Sequence, residues 1–398
     1  MKIFFYSFLI LLLVDVIVYF GTKKMFEKPI RKKQFTIIFW FIAIVFFLVF
    51  IGFLLYSGKP KLDFVKFRHY FYFFGITILL YLPKIILLPF IFIEFIFNSL
   101  KLFKKSKYIT KVGVIVSALL FVNIFYGITY NKTNFKVNQI TLEYKNLPKS
   151  FDGFKIVQFS DAHLGSFSGT ESVKKGLDMI NNQQADLIVF TGDLVNITAD
   201  EATPYIPMLN QLHASQGLFA ILGNHDMNDY RKVDSIKAEP LKHLSELIST
   251  YQKTPFYLLL DEHVILRKGN DSIVLIGIRN WGKPPFHKYG DLAKAMKGVN
   301  EVPFKILLSH DPSHWDAEVK NKTDIALTLS GHTHGFQFGV DTKWFRWSPV
   351  QYQYHKWAGL YSENNQSLYV NVGFGYIGFP GRVGIRPEIT VITLKTKK

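Results

Sequence analysis

The residues that could do chemistry arrive in five short groups, each behind an apolar run. Lys155-Ile156-Val157-Gln158-Phe159-Ser160 runs into Asp161-Ala162-His163, and Leu187-Ile188-Val189-Phe190-Thr191 into Gly192-Asp193. Leu218-Phe219-Ala220-Ile221-Leu222 leads to Gly223-Asn224-His225-Asp226, and Phe304-Lys305-Ile306-Leu307-Leu308 to Ser309-His310-Asp311. Ile325-Ala326-Leu327-Thr328-Leu329 leads to Ser330-Gly331-His332-Thr333-His334-Gly335. The chain has no cysteine, so any metal must be held by oxygen and imidazole nitrogen, a donor set suited to Mn, Fe, Zn or Co. Two divalent ions about 3.5–4 Å apart need a bridging carboxylate with neutral imidazoles around it. Asp193, on a tight turn after Gly192, is the natural bridge. Asp161-x-His163 and His332-x-His334 each set two ligands on one side of an extended segment, because side chains alternate with period two. Each group alone also suits an ordinary turn or helix cap. A packed fold has no reason to collect Asp161, His163, Asp193, Asn224, His310, His332 and His334 at five strand ends.

For these groups to meet, the elements behind them must share one architecture. Short apolar runs bounded by turn signals read as buried strands. Between the first two, Val173, Leu177 and Ile180 share a face and predict a helix over Glu171–Asn181, entered at Thr170. Leu241, Leu244, Leu247 and Ile248 predict another over Pro240–Tyr251. Strands alternating with helices imply an α/β domain, in which ligands gather beyond the carboxyl ends of strands. Residues 151–398 form this domain. Residues 136–150 are a linker with a lead-in strand near Gln139–Tyr144.

Residues 1–135 read as a transmembrane region of about four helices. Ile3–Phe20, Thr36–Tyr56, Tyr70–Phe97 and Val112–Tyr130 are each near the length of about 20 apolar residues that a span requires. The first is read as a retained span, since it lacks a small-residue cleavage site and three more follow. Asp15, Lys84 and Glu94 lie in or near these stretches and are read as interfacial or as charge pairs between helices. The net charge of +17 is concentrated here: residues 1–150 carry 21 Lys/Arg against 5 Asp/Glu, and residues 151–398 carry 26 against 25. A near-neutral second half argues against nucleic acid as a partner. Cytoplasmic loops are enriched in Lys and Arg. Six such residues after span one and five after span three, against seven on the other side, place the C-terminal domain on the extracytoplasmic side. The third stretch contains Pro83 and Pro89; were it a hairpin crossing twice, the side would reverse.

Asp-x-His, Gly-Asp, Gly-Asn-His-Asp, Ser-His and Gly-His-Thr-His, in this order, resemble the signatures of the calcineurin-like metallophosphoesterase superfamily. The tail from Asn371-Val372-Gly373-Phe374-Gly375 through Phe379-Pro380-Gly381-Arg382 to Arg386-Pro387-Glu388-Ile389 resembles its YkuE/YaeI-type branch. The front end resembles transmembrane proteins with a metallophosphoesterase domain. The resemblance implies a four-layer (αββα) sandwich behind an α-helical transmembrane bundle. It implies two divalent ions, Mn, Zn or Fe: one on Asp161, His163, Asp193 and His334, the other on Asp193, Asn224, His310 and His332. It further implies in-line attack on phosphorus by a metal-bridging hydroxide, with His225, beside the catalytic-site ligand Asn224, protonating the leaving oxygen. Many relatives orient that histidine with an Asp three residues after the bridging one. Here Asn196 stands there, and Asp226 is the residue available to substitute. Phe336, where Gly is common, narrows the pocket or meets an apolar substrate. Arg279, Arg382 and Arg386 are each read first as structural, with a grip on phosphate as the alternative. Trp344, Phe345 and Trp347 with Lys343 and Arg346 suit either a loop packed on its own domain or a membrane interface.

The expected function is hydrolysis of phosphodiester or pyrophosphate bonds of a lipid-like substrate at the bilayer. The rival readings are a phosphomonoesterase acting on soluble substrates and a non-catalytic membrane sensor that binds a phosphorylated ligand.

Overall fold

The computed structural model describes residues 2–57, 64–101, 107–227, 240–342 and 344–397. Lys59 and Lys61 of the loop after span two, Lys104 and Lys105 of the loop after span three, and Lys343 of the aromatic segment lie outside them. The backbone forms two compact units. One is Met1–Leu62 with His69–Tyr126; the other is Gly127–Lys398 with Asp63–Arg68.

Helices α1 (Lys2–Lys23), α2 (Pro29–Ser57), α3 (Phe64–Ser99) and α4 (Tyr108–Thr129) make up the apolar part of the chain. All four are long and apolar enough to cross a membrane. Helix α3 runs unbroken through Pro83 and Pro89, so the third stretch is one long helix and not a hairpin. The buried carboxylate of Asp15 accepts from Tyr81 Oη at 2.8 Å and from Lys84 Nζ at 2.6 Å. Glu94, also buried, accepts from the Thr110 amide at 2.9 Å and pairs with Lys24 at 2.8 Å. The charges expected to be expensive in hydrocarbon are thus paired between helices.

The second unit contains strands β1 (Lys136–Tyr144), β2 (Lys155–Phe159), β3 (Leu187–Phe190), β4 (Leu218–Ala220), β5 (Phe256–Leu258), β6 (Glu262–Lys268) and β7 (Asp271–Gly277). They continue with β8 (Lys305–Leu308), β9 (Leu327–Ser330), β10 (Val340–Asp341), β11 (Arg346–Trp347), β12 (Gly359–Glu363), β13 (Gln366–Val370) and β14 (Glu388–Thr396). One six-stranded sheet has the order β1-β14-β2-β3-β4-β5, the other β12-β13-β9-β8-β7-β6. β10 and β11 form a small hairpin. Strands β2 to β5 run parallel, as do β7, β8, β9 and β13.

Period-two alternation gives each strand two buried faces and builds the layers. Ile156, Leu187 and Val189 meet Leu275, Ile306, Leu308 and Leu329 between the sheets. Their neighbours Val157, Phe159, Ile188 and Phe190 face outward and are covered by Val173, Leu177 and Ile180 of α5 (Glu171–Asn181). Leu247 and Tyr251 of a helix over Pro240–Tyr251 complete that layer. On the far side, Val274, Ile276 and Leu307 pack beneath Leu292, Ala295 and Trp315. The result is the four-layer sandwich expected from the sequence. Helices occupy the two expected ranges, although Thr170 makes no side-chain cap at the start of α5.

Candidate metal centre

The carboxyl ends of β2, β3, β4, β8 and β9 bring all seven expected ligands together. Two turns make the approach possible. Gly192 has φ +97°, and a Cβ there would lie 2.6 Å from the amide nitrogen of Gly223; a Cβ on Gly223 would in turn collide with the Asp193 carboxylate. Only residues without side chains allow the β3 and β4 turns to nest this closely.

Donor atoms converge in three groups, each within 4.8 Å. Asp161, His163 and His334 form one, Asp193, His310 and His332 a second, and His163, Asp193 and His225 a third that overlaps both. In the first, His334 Nε2 lies 3.0 Å from His163 Nε2 and 3.2 Å from Asp161 Oδ1. In the second, Asn224 Oδ1 lies 3.1 Å from His310 Nε2 and 2.7 Å from His332 Nδ1. Asp193 Oδ2 stands between them, 3.7 Å from His163 Nε2 and 3.2 Å from His310 Nε2.

Three observations show that these residues fit divalent cations. First, Asp161, His163, Asp193, His332 and His334 all adopt left-handed φ, between 42° and 73°. Each costs about 1–2 kcal/mol for a residue with a Cβ and persists only where the surroundings over-determine it. Second, His310 donates Nδ1–H to the Thr191 carbonyl at 2.7 Å, which turns its Nε2 lone pair toward oxygens of Asp193 and Asn224. Burial would lower the pKa of this imidazole, but the carboxylates of Asp193 and Asp161 outweigh it and lift it to about 10. That is the field of an anionic cage, which a cation relieves as a proton would. Third, Nε2 of His163 and Nε2 of His334 face each other at 3.0 Å beside Asp161, as two imidazole ligands of one ion would.

Around these atoms the chain supplies a tight frame. Asp226 accepts from the amides of Asp193 at 2.8 Å, Leu194 at 2.9 Å, Val195 at 3.3 Å and Gly223 at 3.1 Å. It therefore clamps the two turns and does not orient His225, contrary to the substitution expected above. Burial and the nearby Asp193 push its carboxyl up, to about 8, against the pull of these amides. His225 is oriented by main chain: Nδ1–H donates to the Asn196 carbonyl at 2.9 Å. The Asn196 side chain instead accepts from Ser166 Oγ at 3.3 Å. Buried Glu201 fixes that loop, accepting from the amides of Asn196 at 2.6 Å, Ile197 at 2.8 Å and Thr198 at 3.0 Å. Tyr354 Oη lies 2.8 Å from His332 Nε2 and so leaves Nδ1 facing the centre. Sequence reasoning missed Glu201 and Tyr354. The spacing Thr198-x-x-Glu201 was a readable capping signal, whereas nothing in the sequence tied Tyr354 to His332.

The three arginines proposed for phosphate serve the protein itself. Arg279 pairs with Asp261, its Nε 2.6 Å from Oδ2. Arg386 donates to Asn134 and Phe135. Arg382, fully buried, donates to the carbonyls of Gly373 and Gly375.

If the centre binds divalent ions, loading must stabilise the fold. At 100 times the dissociation constant one bound ion adds about 2.7 kcal/mol, or about 5–10 °C in the thermal midpoint of a domain this size. Near-ultraviolet circular dichroism of the full-length protein with Mn or Zn, and again with a chelator, reads that shift.

Residues 154–336 match the calcineurin-like phosphoesterase family, and residues 1–132 match the family described as probable calcineurin-like phosphoesterase, transmembrane domain. The metallophosphoesterase YkuE of Bacillus subtilis is 35% identical over 262 residues, 64% of this chain and 84% of that one. The transmembrane protein with metallophosphoesterase domain of Danio rerio is 29% identical over 294 residues; these are 72% of this chain but only 62% of the fish protein. The UDP-2,3-diacylglucosamine pyrophosphatase LpxG of Chlamydia trachomatis is 30% identical over 280 residues, 58% of this chain and 81% of LpxG. With a hydrolase domain and a membrane domain each matched in their own right, the chain belongs to the calcineurin-like phosphoesterases and is a membrane-anchored metallophosphoesterase.

Proposed function

We propose that the chain hydrolyses phosphodiester or pyrophosphate bonds of a lipid-linked substrate at a centre of two divalent ions. The observation that carries the two-ion reading is Asp193 Oδ2, which lies between the two ligand groups. Asp161, His163, Asp193 and His334 would hold one ion, and Asp193, Asn224, His310 and His332 the other. When bound, such ions draw charge from the phosphoryl oxygens and lower the pKa of water at neutral pH. Mn, Zn and Fe all suit this donor set.

The chain's own groups do the rest. His310 keeps Nδ1–H on the Thr191 carbonyl, so Nε2 is its ligating atom. His225, with Nδ1–H on the Asn196 carbonyl, exchanges a proton through Nε2 and is the group to protonate the leaving oxygen. Two features support the lipid-linked substrate: the four candidate spans, and the similarity to LpxG, a pyrophosphatase of a diacylated sugar nucleotide. With α3 a single helix, the described residues hold four candidate spans, and the Lys/Arg bias favours the catalytic domain on the extracytoplasmic side.

Full-length protein in lipid nanodiscs, loaded with Mn or Zn, is to be given bis(p-nitrophenyl) phosphate, the corresponding monoester and a diacylated pyrophosphate. Preference for the diester over the monoester, and for the lipid over both, is expected. Preference for the monoester would overturn the reading in favour of a phosphomonoesterase. No turnover with both ions bound would favour a ligand-binding sensor.

A further inference from the structure

Large apolar side chains are unevenly distributed over the surface of the second unit. Of its nine large exposed hydrophobic residues among those described, six lie between Phe336 and Leu360. Trp344 is 89% exposed, Tyr352 77%, Phe336 60% and Phe345 59%. Three of these four, Phe336, Trp344 and Phe345, lie beside hydrogen-bonded anchors. Gly335, Phe336 and Gln337 are consecutive left-handed residues, with φ 53°, 57° and 56°. Gln337 is buried and its side chain donates to the Phe379 carbonyl at 2.8 Å, so the strained turn aims Phe336 outward from a fixed base. Across the β10–β11 hairpin, the Thr342 amide donates to the Phe345 carbonyl at 3.0 Å, and the Phe345 amide to Thr342 Oγ1 at 3.0 Å. The pair brackets Trp344. Ser348 Oγ donates to the Gly335 carbonyl at 2.8 Å and ties the hairpin to the Phe336 turn.

The same segment is bonded to the end of a membrane span. The candidate span that includes α4 extends from Tyr108 to Thr133, and from Gly127 onward it belongs to the second unit. The Gly127 carbonyl accepts from the Arg382 amide at 3.1 Å, and Asn131 Nδ2 donates to the Arg382 carbonyl at 2.7 Å. The next residue, Val383, donates to the Gln337 carbonyl at 2.7 Å and accepts from the Gly339 amide at 2.9 Å. From Gly339 the chain reaches Trp344 within about 18 Å even when fully extended. The aromatic segment therefore begins one short strand from residues bonded to the end of this candidate span.

We infer that Phe336, Trp344, Phe345 and Tyr352 dock the catalytic unit onto the headgroup region of the bilayer in which the chain is anchored. Phe, Tyr and Trp, with few aliphatic side chains among them, are the residue types that settle at a membrane–water interface. The tether holds lipid at high effective concentration, so even modest apolar burial suffices to keep the surface engaged. His334 lies two residues before Phe336, which sets the docked edge beside the metal centre. The inference goes beyond the proposed reaction and stands whether or not the substrate is a lipid.

The absence of cysteine makes the test direct. Full-length protein carrying Trp344→Cys, or Phe345→Cys should the first fail to fold, is spin-labelled and placed in nanodiscs of phosphatidylcholine and phosphatidylglycerol. Tyr257→Cys, at an exposed position of the same unit, is the control. Collisions with oxygen should outweigh those with a polar nickel chelate at 344, corresponding to a depth of about 5–10 Å below the headgroup surface. The reverse is expected at 257. Equal access to the nickel chelate at both positions would overturn the inference. So would a label at 344 shielded from both probes and dipolar-coupled to a second label, since the surface would then bind another copy of the chain.

Discussion

Replacing Asp193 with Asn lowers turnover of a phosphodiester by about a thousandfold or more, a loss of at least about 4 kcal/mol of transition-state stabilisation. The amide keeps the shape of the carboxylate and can still accept the His225 amide, which lies 2.8 Å from Asp193 Oδ1. Folding should therefore survive. What disappears is the negative charge of the carboxylate whose Oδ2 lies within 3.7 Å of His163 and 3.2 Å of His310, one residue from each ligand group. His310 loses the carboxylate that most strongly raises its pKa, so the cage loses its pull on cations. Steady-state kinetics, together with a thermal midpoint that no longer responds to added metal, would establish the effect. A variant that keeps wild-type turnover would remove Asp193 from the centre.

His225→Ala should lower turnover by about 10²- to 10⁴-fold, the usual contribution of a positioned general acid. Here the chain departs from the pattern that pairs this histidine with a carboxylate. Its partner is the Asn196 main-chain carbonyl, held in turn by the three amides that Glu201 gathers. Asn196→Ala should accordingly change turnover only a few-fold, because the carbonyl remains. Glu201→Ala should release the loop and lose much of what His225→Ala loses, with Glu201→Gln intermediate. A purely structural role for Glu201 would leave the position of the alkaline limb of the pH–rate profile, where a general acid loses its proton, unchanged. A positioning role moves it, because the surroundings of His225 change. A substrate with a good leaving group, which needs no proton, should be least sensitive to all three substitutions.

The site was legible in the sequence because its ligands follow buried strands directly. Continuous apolar runs such as Leu187–Phe190 read as strands buried on both faces, and five of them run directly into ligand-type residues. The two helices were legible for the same reason, from the spacing of Val173, Leu177 and Ile180. The backbone of the ligands was not. Left-handed φ at Asp161, His163 and Asp193 comes from converging loops, and no residue type there announces it. Asp226 could be read as a nearby carboxylate, but its role depends on four amides from two different turns. Tyr354 meets His332 across a loop that no periodicity predicts. In the membrane half, Pro83 and Pro89 left a hairpin open in the sequence, while neighbouring apolar helices sustain α3 through both.

The most direct test of the account is the number of metal ions bound by the folded, full-length protein. After equilibrium dialysis against Mn or Zn and removal of free metal, elemental analysis should find two ions per chain. Asp193→Asn should retain at most one. One ion or none in folded wild-type protein would contradict the two-ion centre at its root.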